Sequence, residues 1–342
     1  MRIIVDAMGG DNAPQAIVKG ALQAQKELGA EIVLVGRKET IEACLEAEKA
    51  TVAQIVDARE IITMDDDPST ATRRKKDSSM AVALKMLHDG EGDAVVSAGS
   101  TGALLTGATL TVKRIRGIRR AALAPVLPNG GKGVMLIDCG ANVECTPEYL
   151  LQFAYMGSFY SKRMLGCDEP RVGLLSNGTE EHKGGKLQHE TFALLKEADT
   201  QGRIRFIGNV EASQLLSGDV DVVVTDGFTG NVLLKGIEGT TKFMLKQLKG
   251  LFFKNLKNKL AALAIRSEFS GLKKSLDPNE VGGTAMLGIS RPVIKAHGSS
   301  DDRAVFNAIR QAMLFADSGI IDEITHNMDY MRLTQPAAAP EA

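Results

Sequence analysis

Residues 3–36 read IIVDAMGGDNAPQAIVKGALQAQKELGAEIVLVG, and this stretch decides the fold class. It begins with the apolar run Ile3–Asp6, which is followed by a glycine turn at residues 9–10. It continues with the helix-like segment Pro14–Leu28 and closes with a second apolar run, Ile32–Val35. Two apolar runs separated by one helix are typical of a pair of parallel strands that the intervening helix covers. The opening stretch therefore predicts a parallel sheet.

The same apolar run followed by a glycine turn recurs along the rest of the chain. Its further occurrences are Val95–Ser97, Val134–Asp138, Val172–Leu175, Ile204–Ile207, Val222–Asp226 and Val293–Ala296. Helical patterns fill most of the gaps, which indicates a three-layer α/β/α fold with a largely parallel sheet and helices on both faces. No repeat period or Ser/Gly/Pro linker divides the chain. We therefore predict one domain over residues 1–330 and a flexible Pro/Ala-rich tail over residues 331–342.

Composition argues against several classes of protein. The chain is 44% hydrophobic and 24% charged, as in an ordinary globular protein with a core. A net charge of −1, an aromatic content of 4% and the lack of Trp argue against nucleic-acid binding. Four cysteines without a CxxC pair predict free thiols and, with five unclustered histidines, no metal site. Because neither a secretion signal nor an apolar stretch of roughly 20 residues is present, we expect a cytoplasmic protein.

Glycine and small polar residues follow the predicted strands at their carboxyl ends. Ligands of open parallel sheets collect at this edge, where glycine allows close approach and N–H groups at a helix start favour an anion. One such turn needs glycine for steric reasons alone, but several turns that also carry Ser, Thr or Asn favour an anion site. The residues that we predict to bind the anion or another part of the substrate are Asp6, Gly9, Gly10, Asp11, Ser97, Gly99, Ser100, Thr101, Gly102, Asn142, Gly227, Thr229, Ser299 and Ser300.

Two familiar phosphate signatures are missing from these turns. The chain has no GxxxxGK[ST] motif, so an ATP-type P-loop is unsupported. The first turn lacks GxGxxG, and Arg37 and Lys38 follow the second strand where a dinucleotide-binding fold carries an acid for the ribose. A nicotinamide dehydrogenase is therefore disfavoured, and we expect no cofactor.

A cluster of basic residues, Arg73, Arg74, Lys75 and Lys76, lies beside the acidic run Asp65–Asp67. Such a run is often only a solvated face. It also suits the docking of an acidic protein or of a phosphorylated carrier arm. A second cluster that allows the same two interpretations comprises Lys113, Arg114, Arg116, Arg119 and Arg120.

The segment 238–276 does not follow the alternation of predicted strands and helices. It has six lysines and no acidic residue between Glu238 and Glu268, and most of the lysines lie opposite an apolar face on a helical wheel. Such a helix packs against another subunit, lies in a membrane surface or covers its own core. We favour contact between the two chains of a dimer, with peripheral membrane contact as the main alternative. The residues that we predict at this contact are Leu248, Leu251, Phe252 and Leu256.

No side-chain nucleophile is marked by the sequence. There is no GxSxG elbow, and no cysteine has a histidine near it along the chain. His182 is as compatible with a surface position as with catalysis, whereas His297 follows a predicted strand end and is the better candidate. A missing nucleophile fits direct attack by a bound co-substrate rather than a covalent enzyme intermediate.

Nine separated segments together resemble one known family. They are VDAMGGDNAP (5–14), RRKKDSSM (73–80), SAGSTGAL (97–104), LAPVLP (123–128), DCGAN (138–142), NGTEEHKG (177–184), FIGNVEA (206–212), VVVTDGFTGN (222–231) and VIKAHGSS (293–300). In order and spacing they closely resemble the acyl-ACP:phosphate acyltransferases, the PlsX family, from residue 1 to about residue 320. Departures are small: Cys139 stands where the family often has Val, and the family varies at Asn12.

The resemblance implies a fold and a reaction. The fold would be that of isocitrate and isopropylmalate dehydrogenases, which phosphate acetyltransferases share. The reaction would make acyl phosphate from acyl carrier protein thioester and inorganic phosphate. The product would supply a downstream glycerol-3-phosphate acyltransferase in phospholipid synthesis. The family also implies a homodimer that associates peripherally with the membrane.

The resemblance further implies roles for single residues. Lys183 would hold phosphate or the developing oxyanion, Asn231 would donate to the thioester carbonyl, and His297 would orient phosphate or protonate the thiol. The anion of the glycine turns would be phosphate, and the Arg73–Lys76 cluster would dock the carrier protein. Three alternatives stay open: a transferase that uses coenzyme A thioesters, a dehydrogenase on the same fold, and a lipid- or carrier-binding protein without activity.

Overall fold

The structure is a computed structural model that describes residues 1–52, 54–264, 282–329 and 331. Its strands are β1 (Arg2–Asp6), β2 (Glu31–Gly36), β3 (Gln54–Asp57), β4 (Ala94–Ser97), β5 (Ala122–Ala124), β6 (Val126–Leu127), β7 (Val134–Ile137), β8 (Arg171–Leu175), β9 (Arg205–Val210), β10 (Val222–Val224), β11 (Thr284–Leu287) and β12 (Val293–Lys295). Residues 265–276 of the predicted amphipathic segment, and all of the predicted tail except Met331, lie outside this description.

Helices connect most of these strands. They are α1 (Gln15–Leu28), α2 (Lys38–Ala47), α3 (Ala71–Arg74), α4 (Ser79–Asp89), α5 (Thr101–Gly107), α6 (Pro147–Met164), α7 (Lys186–Thr200), α8 (Gly227–Phe253), α9 (Leu256–Ala264), α10 (Asp302–Asp317) and α11 (Ile320–His326). A π-helical turn, Ala108–Val112, extends α5, and a 3₁₀ turn, Ala212–Gln214, follows β9.

The described strands form two mixed, mostly parallel sheets. The first has seven strands in the order β3-β2-β1-β4-β12-β11-β5, and only β11 runs antiparallel to its neighbours. The second has five strands in the order β6-β7-β10-β8-β9, with β6 antiparallel to β7. With helices around these sheets, the predicted three-layer α/β/α class is confirmed. Where the sequence pattern suggested a single sheet, the structure has two. Whether the chain is one domain, as we predict, stays a prediction.

The two sheets join at a short connection. Only Pro125 separates β5 of the first sheet from β6 of the second. The N–H of Leu136 donates to the carbonyl of Pro125 at 3.0 Å, and the N–H of Cys139 donates to the carbonyl of Leu123 at 2.9 Å. The end of β7 is therefore hydrogen-bonded to the edge of the first sheet, which places the carboxyl end of β7 beside β5.

Both faces of the first sheet are buried, which is why its strands are apolar throughout. Ile3 and Val5 of β1 belong to the apolar cluster on one face, together with Ile32 of β2. Ile4 and Val33 belong to the cluster on the other face. Side chains of a strand point to alternate faces, so a continuous apolar run is the pattern expected for a sheet covered by helices on both sides.

The first half of helix α8 packs on the second sheet. Leu233, Leu234 and Ile237 contact the core of the second sheet. Further along, Leu248 and Phe252 are half-buried while Leu251 is 57% exposed. The side chain of Leu256 lies outside the described residues, so the predicted membrane or dimer contact stays a prediction. None of the helices in the described ranges is long and apolar enough to cross a membrane.

A glycine of α1 allows a close helix contact that can be tested. A Cβ atom on Gly20 would lie 2.4 Å from the carbonyl oxygen of Asp302 and 2.6 Å from Cβ of Val305, both at α10. Helix propensity alone favours alanine by up to about 1 kcal/mol, but forced separation of packed elements costs about 1–3 kcal/mol. We expect Gly20→Ala to lower the free energy of unfolding measured by urea denaturation.

Gly236 supplies the matched control, because it is also helical and a Cβ atom there would have no neighbour within 4 Å. Gly236→Ala should therefore leave stability unchanged or raise it slightly. Equal or greater stability of Gly20→Ala would show that α1 and α10 are not packed as closely as described.

Candidate active site

The strand order of the first sheet reverses between β1 and β4. Strands β2 and β3 lie on one side of β1, and β4 lies on the other. Such a switch point opens a crevice at the carboxyl ends of the two strands, where ligands of α/β sheets bind. The turns after the two strands touch here, since a Cβ atom on Gly9 would lie 2.7 Å from the nitrogen of Gly99. Gly9 is needed for this approach, whereas a Cβ atom on Gly99 would lie 2.7 Å from Cε of Met80.

The turn after β12 joins the same cluster. The N–H of Asp11 donates to the carbonyl of Gly298 at 2.8 Å. The amide of Asn12 donates to the carbonyls of Ser299 and Ser300 at 3.2 and 3.1 Å. A Cβ atom on Gly10 would lie 3.0 Å from the carbonyl of Gly298. The structure therefore brings together the predicted residues that follow β1, β4 and β12.

Asp6 holds the first two of these turns. Its carboxylate is buried and accepts the Ser97 hydroxyl at 2.6 Å and the N–H of Met8 at 3.2 Å. Burial raises the pKa of Asp6, and hydrogen bonds from Ser79, Ser97, Met8 and Gly9 oppose that rise. Ser97 also accepts the N–H of Gly99 at 3.1 Å. The hydrogen bonds of Asp6 and Ser97 therefore hold the turns after β1 and β4 together.

Unused donors lie at the start of α5. Ser100 caps this helix by accepting the N–H of Ala103 at 3.5 Å. The N–H groups of Thr101 and Gly102 find no acceptor within the described ranges. A Cβ atom on Gly102 would lie 2.8 Å from Cβ of Pro68, so the loop before α3 packs on this helix start.

The second sheet contributes a corresponding turn after β7. Asp138 is fully buried and accepts hydrogen bonds from the N–H groups of Leu123, Ala141 and Asn142 at 2.9, 3.2 and 2.7 Å. Burial raises the pKa of Asp138 to about 6. The Asn142 amide donates to Asp138 at 3.0 Å and to the carbonyl of Ala121 at 2.8 Å. Both amide hydrogens of Asn142 are thus used within the protein.

Helix α8 begins against this turn. A Cβ atom on Gly227 would lie 2.6 Å from both the Asn142 carbonyl and the Asp138 carboxylate. Asp226 caps the helix, because its carboxylate accepts the N–H and the hydroxyl of Thr229, both at 2.8 Å. The close packing explains Gly227, and Thr229 is bound to Asp226. These two predicted residues shape the site with contacts of their own chain.

Asn231 differs from its neighbours because its amide makes no hydrogen bond to any described residue. A Cβ atom on Gly140 would lie 3.6 Å from Cγ of Asn231, so this amide lies beside the turn after β7. A primary amide has two N–H donors. Asn231 therefore has free donors close to the carboxyl end of the second sheet.

Two charged residues lie on the same side of α8 as Asn231. Lys235 and Glu238 follow Asn231 by four and seven residues, a spacing that places all three on one face of the helix. They form an ion pair with a distance of 2.9 Å between Lys235 Nζ and Glu238 Oε2. Their charges act on the pKa of Cys139 after β7 and on that of His297 after β12. This face of α8 therefore spans the space between the carboxyl ends of the two sheets.

His297 is a neutral donor in this space. Burial, followed by the positive charge of Lys235, lowers its pKa, so the imidazole is uncharged at neutral pH. Its Nδ1 atom accepts the N–H of Ser299 at 3.2 Å and lies 2.9 Å from the Ser299 hydroxyl. The ring proton therefore belongs on Nε2, which is free to donate.

Lys183 lies in the loop after β8. Strand β8 pairs with β10, so this loop shares an edge of the second sheet with the start of α8. The side chain is half-buried, and a Cβ atom on Gly178 would lie 2.8 Å from its Cγ atom. It forms no ion pair with another described residue. Its ammonium group is therefore available to an anion.

The cysteines nearest the site are poor nucleophiles. Cys139 and Cys145 both follow β7. Burial raises the pKa of both thiols, and that of Cys145 reaches about 12. Since the thiolate is the reactive form, neither thiol is poised for attack. Among the residues described, no three of His, Cys, Asp or Glu are grouped so that they could hold a metal ion.

The predicted docking cluster flanks the start of α5. Arg73, Arg74 and Lys76 are exposed. Lys75 is held inside the loop, since its Nζ atom donates to Asp66 at 2.7 Å and to the carbonyl of Ile61 at 2.8 Å. Three of the four predicted residues are therefore free to meet a partner.

The sequence patterns missed Lys235, Glu238 and Lys295. Lys295 is buried at the end of β12, among the turns of the first sheet. A lysine at the end of the apolar run 293–296 was an available signal, because lysine is rarely buried without a partner. Lys235 and Glu238 were detectable only by their helical spacing from Asn231.

Comparison with known proteins finds a family model and close relatives that match the chain. A family model described as fatty acid synthesis protein matches residues 1–323. The chain is 46% identical over 332 residues to a phosphate acyltransferase of Clostridium kluyveri, covering 96% of this chain and 98% of that protein. It is 49% identical over 315 residues to a phosphate acyltransferase of Bacillus licheniformis, covering 91% and 93%.

Solved structures agree on the fold. A phosphotransacetylase from Streptococcus pyogenes has a TM-score of 0.63 at 16% identity, covering 92% of this chain and 94% of that chain. The EutD phosphotransacetylase from Staphylococcus aureus has a TM-score of 0.59 at 16% identity, covering 92% and 93%. Together with the relatives above, these findings confirm the resemblance drawn from the nine segments. The chain belongs to the fatty acid synthesis protein family, PlsX, and is an acyltransferase of the phosphate acyltransferase type with a role in lipid synthesis.

Proposed function

We propose that this enzyme transfers a fatty acyl group from acyl carrier protein to inorganic phosphate by direct attack of phosphate on the thioester. The observation that carries the proposal is a site with free donors and no reactive thiol. Thr101, Gly102, Asn231 and His297 have unused N–H donors at the carboxyl ends of the two sheets. The nearby thiols are held protonated by burial. Such a site suits a reaction between two bound substrates.

The step is balanced without a further reactant. A phosphate oxygen attacks the thioester carbonyl, a C–O bond forms, and the carbonyl oxygen becomes an oxyanion. The oxyanion then collapses, the C–S bond breaks, and the carrier thiol leaves as a thiolate. Since a thiol has a pKa of roughly 8.5, it leaves readily. The thioester and the acyl phosphate are both activated acyl groups, so no ATP is needed.

The free donors divide into two roles. Asn231 stabilises the oxyanion, because a donor aimed at developing charge lowers the barrier more than it stabilises the substrate. Lys183 and the N–H groups of Thr101 and Gly102 bind phosphate or share in holding the oxyanion. His297 orients phosphate or returns a proton to the thiolate through Nε2. The main task of the enzyme is to bring two anionic reactants together.

The remaining parts of the proposal concern partners. Acyl phosphate is a reactive acyl donor and is consumed by a glycerol-3-phosphate acyltransferase. The exposed apolar side chains of Phe243, Met244, Leu251 and Phe253 on α8 support contact with a second chain or with a membrane surface. We propose dimer contact as the first use of this surface.

One contact resembles that of a covalent route to the same product. The hydroxyl of Ser299 lies 2.9 Å from Nδ1 of His297, which is the contact that a serine nucleophile makes with its base. The same Nδ1 atom also accepts the N–H of Ser299, however. This short local contact holds both groups in one turn and favours an orienting role for Ser299.

The overall reaction is tested by incubating the protein with palmitoyl-carrier protein or palmitoyl-coenzyme A, with and without phosphate. We expect thiol release only with phosphate, together with acyl phosphate that hydroxylamine traps. Thiol release that does not depend on phosphate would contradict the proposal. A preference for palmitoyl-coenzyme A over palmitoyl-carrier protein would show that the enzyme is a transferase that uses coenzyme A thioesters.

The role of Asn231 is tested by Asn231→Ala. Loss of one oxyanion donor lowers kcat by about 10²–10³ while the KM values change little. Gln201→Ala is the control, because Gln201 is exposed after the C-terminal end of α7, the end farther from the Lys183 loop, and its side-chain amide donates to Glu197. Turnover of Asn231→Ala equal to that of Gln201→Ala would remove Asn231 from the reaction.

The Ser299 route is tested by Ser299→Ala. Direct attack predicts that kcat falls by no more than about threefold, since only an orienting contact is lost. A covalent route predicts a fall of about 10³ or more and an acyl-enzyme detectable by mass spectrometry. The latter outcome would replace direct attack with acylation of Ser299.

Carrier docking is tested by the double variant Arg73→Glu/Arg74→Glu. We expect the KM for palmitoyl-carrier protein to rise about three- to tenfold at low salt, and less at high salt, with little change for palmitoyl-coenzyme A. The control is Lys26→Glu/Lys49→Glu, which makes the same charge change at the C-terminal ends of α1 and α2. An equal rise in both double variants would indicate a general charge effect and reject this docking surface.

A further inference from the structure

Lys295 is a buried cation within the cluster of turns. It ends β12 and pairs with Ser97 of β4, next to the switch point of the first sheet. Only 8% of the residue is exposed. Its Nζ atom lies 3.4 Å from the carbonyl of Ala98 and also contacts the carbonyl of Ala296. The ammonium group is therefore held between the turns that follow β4 and β12.

These contacts leave the ammonium group incompletely satisfied. An ammonium has three N–H donors, and the two carbonyls occupy two of them. No third acceptor and no ion pair is found for Lys295 in the part of the chain that the structure describes. Asp6 and Asp11 attract it electrostatically, but Asp6 already accepts hydrogen bonds from the hydroxyl of Ser97 and the N–H of Met8. A donor of Lys295 is left over.

A buried charge with a spare donor is costly unless a ligand completes it. Removing an ammonium from water destabilises the fold, and neutral carbonyls offset only part of that cost. A purely structural clamp between Ala98 and Ala296 would not require a charge. A site that has to attract an anion does require one, because the attraction is stronger in a low-dielectric crevice. The surroundings of Lys295 thus match those of a ligand-binding lysine.

We propose that Lys295 binds the reactant phosphate at the switch point between β1 and β4. This inference rests on the proposed function and adds a residue to it. Phosphate supplies the missing acceptor for the third N–H, and its negative charge compensates the buried cation. The turns that carry Gly9 and Gly99 pack closely together at the same crevice, since a Cβ atom on Gly9 would lie 2.7 Å from the nitrogen of Gly99. Lys295 is thus a phosphate-binding residue, whereas Asn231 serves the acyl carbonyl.

The charge state of Lys295 makes this role depend on pH. Burial lowers its pKa to about 8, with Asp6 and Asp11 acting upward and Lys235 acting downward. The neighbouring His297 stays neutral over the alkaline range. Lys295 is charged below about pH 8 and loses its charge as the pH rises above that value. Phosphate binding through Lys295 should therefore weaken in the alkaline range, where phosphate itself is already a dianion.

The test compares Lys295→Met, Lys295→Arg and Lys132→Met. Lys132 is the control, because it is exposed and its Nζ atom also bonds to a backbone carbonyl, that of Gly166. With saturating palmitoyl-carrier protein, we expect Lys295→Met to raise the KM for phosphate about ten- to a hundredfold. The KM for the thioester should stay unchanged. Phosphate should raise the melting temperature of wild type and Lys132→Met but not that of Lys295→Met.

The wild-type enzyme gives a second measurement that needs no variant. From about pH 7.5 to about pH 9.5, its KM for phosphate should rise toward that of Lys295→Met, whereas Lys295→Arg, which keeps its charge, should show a flat profile. An unchanged KM for phosphate in Lys295→Met, or a flat profile in wild type, would overturn the inference. So would a general loss of kcat and melting temperature without a change in that KM. Phosphate-independent thiol release by wild type would instead reject the proposed function itself.

Discussion

A buried carboxylate must receive hydrogen bonds, and this requirement organises the protein at two equivalent places. Asp6 ends β1 of the first sheet and holds both the turn that follows it and Ser97 of β4. Asp138 follows β7 of the second sheet and likewise holds its own turn. It also accepts the N–H of Leu123 in β5, which ties the second sheet to the first. The relative position of the groups that we propose for the reaction depends on these two aspartates.

The turns held by Asp6 and the turn held by Asp138 form one site because α8 lies across both. The helix starts against the Asp138 turn, where Gly227 is required by close packing. Two turns further on, its polar face reaches the electrostatic neighbourhood of His297 on the first sheet. The donor that we assign to the acyl carbonyl thus comes from the second sheet, and the lysine that we assign to phosphate comes from the first. A reaction that joins two bound substrates fits such a division.

Sequence patterns predicted the long apolar strands because burial on both faces leaves a continuous run, as in Ile3–Asp6. Strands β5 and β6 have three and two residues and are separated only by Pro125, so no pattern indicated that the chain passes from one sheet to the other there. The glycine turns were predicted as candidate ligand-binding segments because the glycines that allow these tight turns also allow a ligand to approach the backbone closely. What the sequence did not reveal is which donors are used internally. Ser97 and Thr229 look alike in sequence to free donors, and only their partners, Asp6 and Asp226, distinguish them.

The division between donors used within the protein and donors left free has an electrostatic consequence for a chain with a net charge of −1. In the proposed reaction, two anionic reactants enter a crevice that contains two buried carboxylates. Burial raises the pKa of both Asp6 and Asp138, and N–H groups of their own turns donate hydrogen bonds to both carboxylates. Among the cations near the crevice, Lys235 is paired with Glu238, whereas Lys183 forms no ion pair with a described residue and Lys295 has a spare donor. Asp6 and Asp138 hold the turns in place, and in our proposal Lys183 and Lys295 bind the anions, so local charge rather than the overall charge of the protein attracts the reactants.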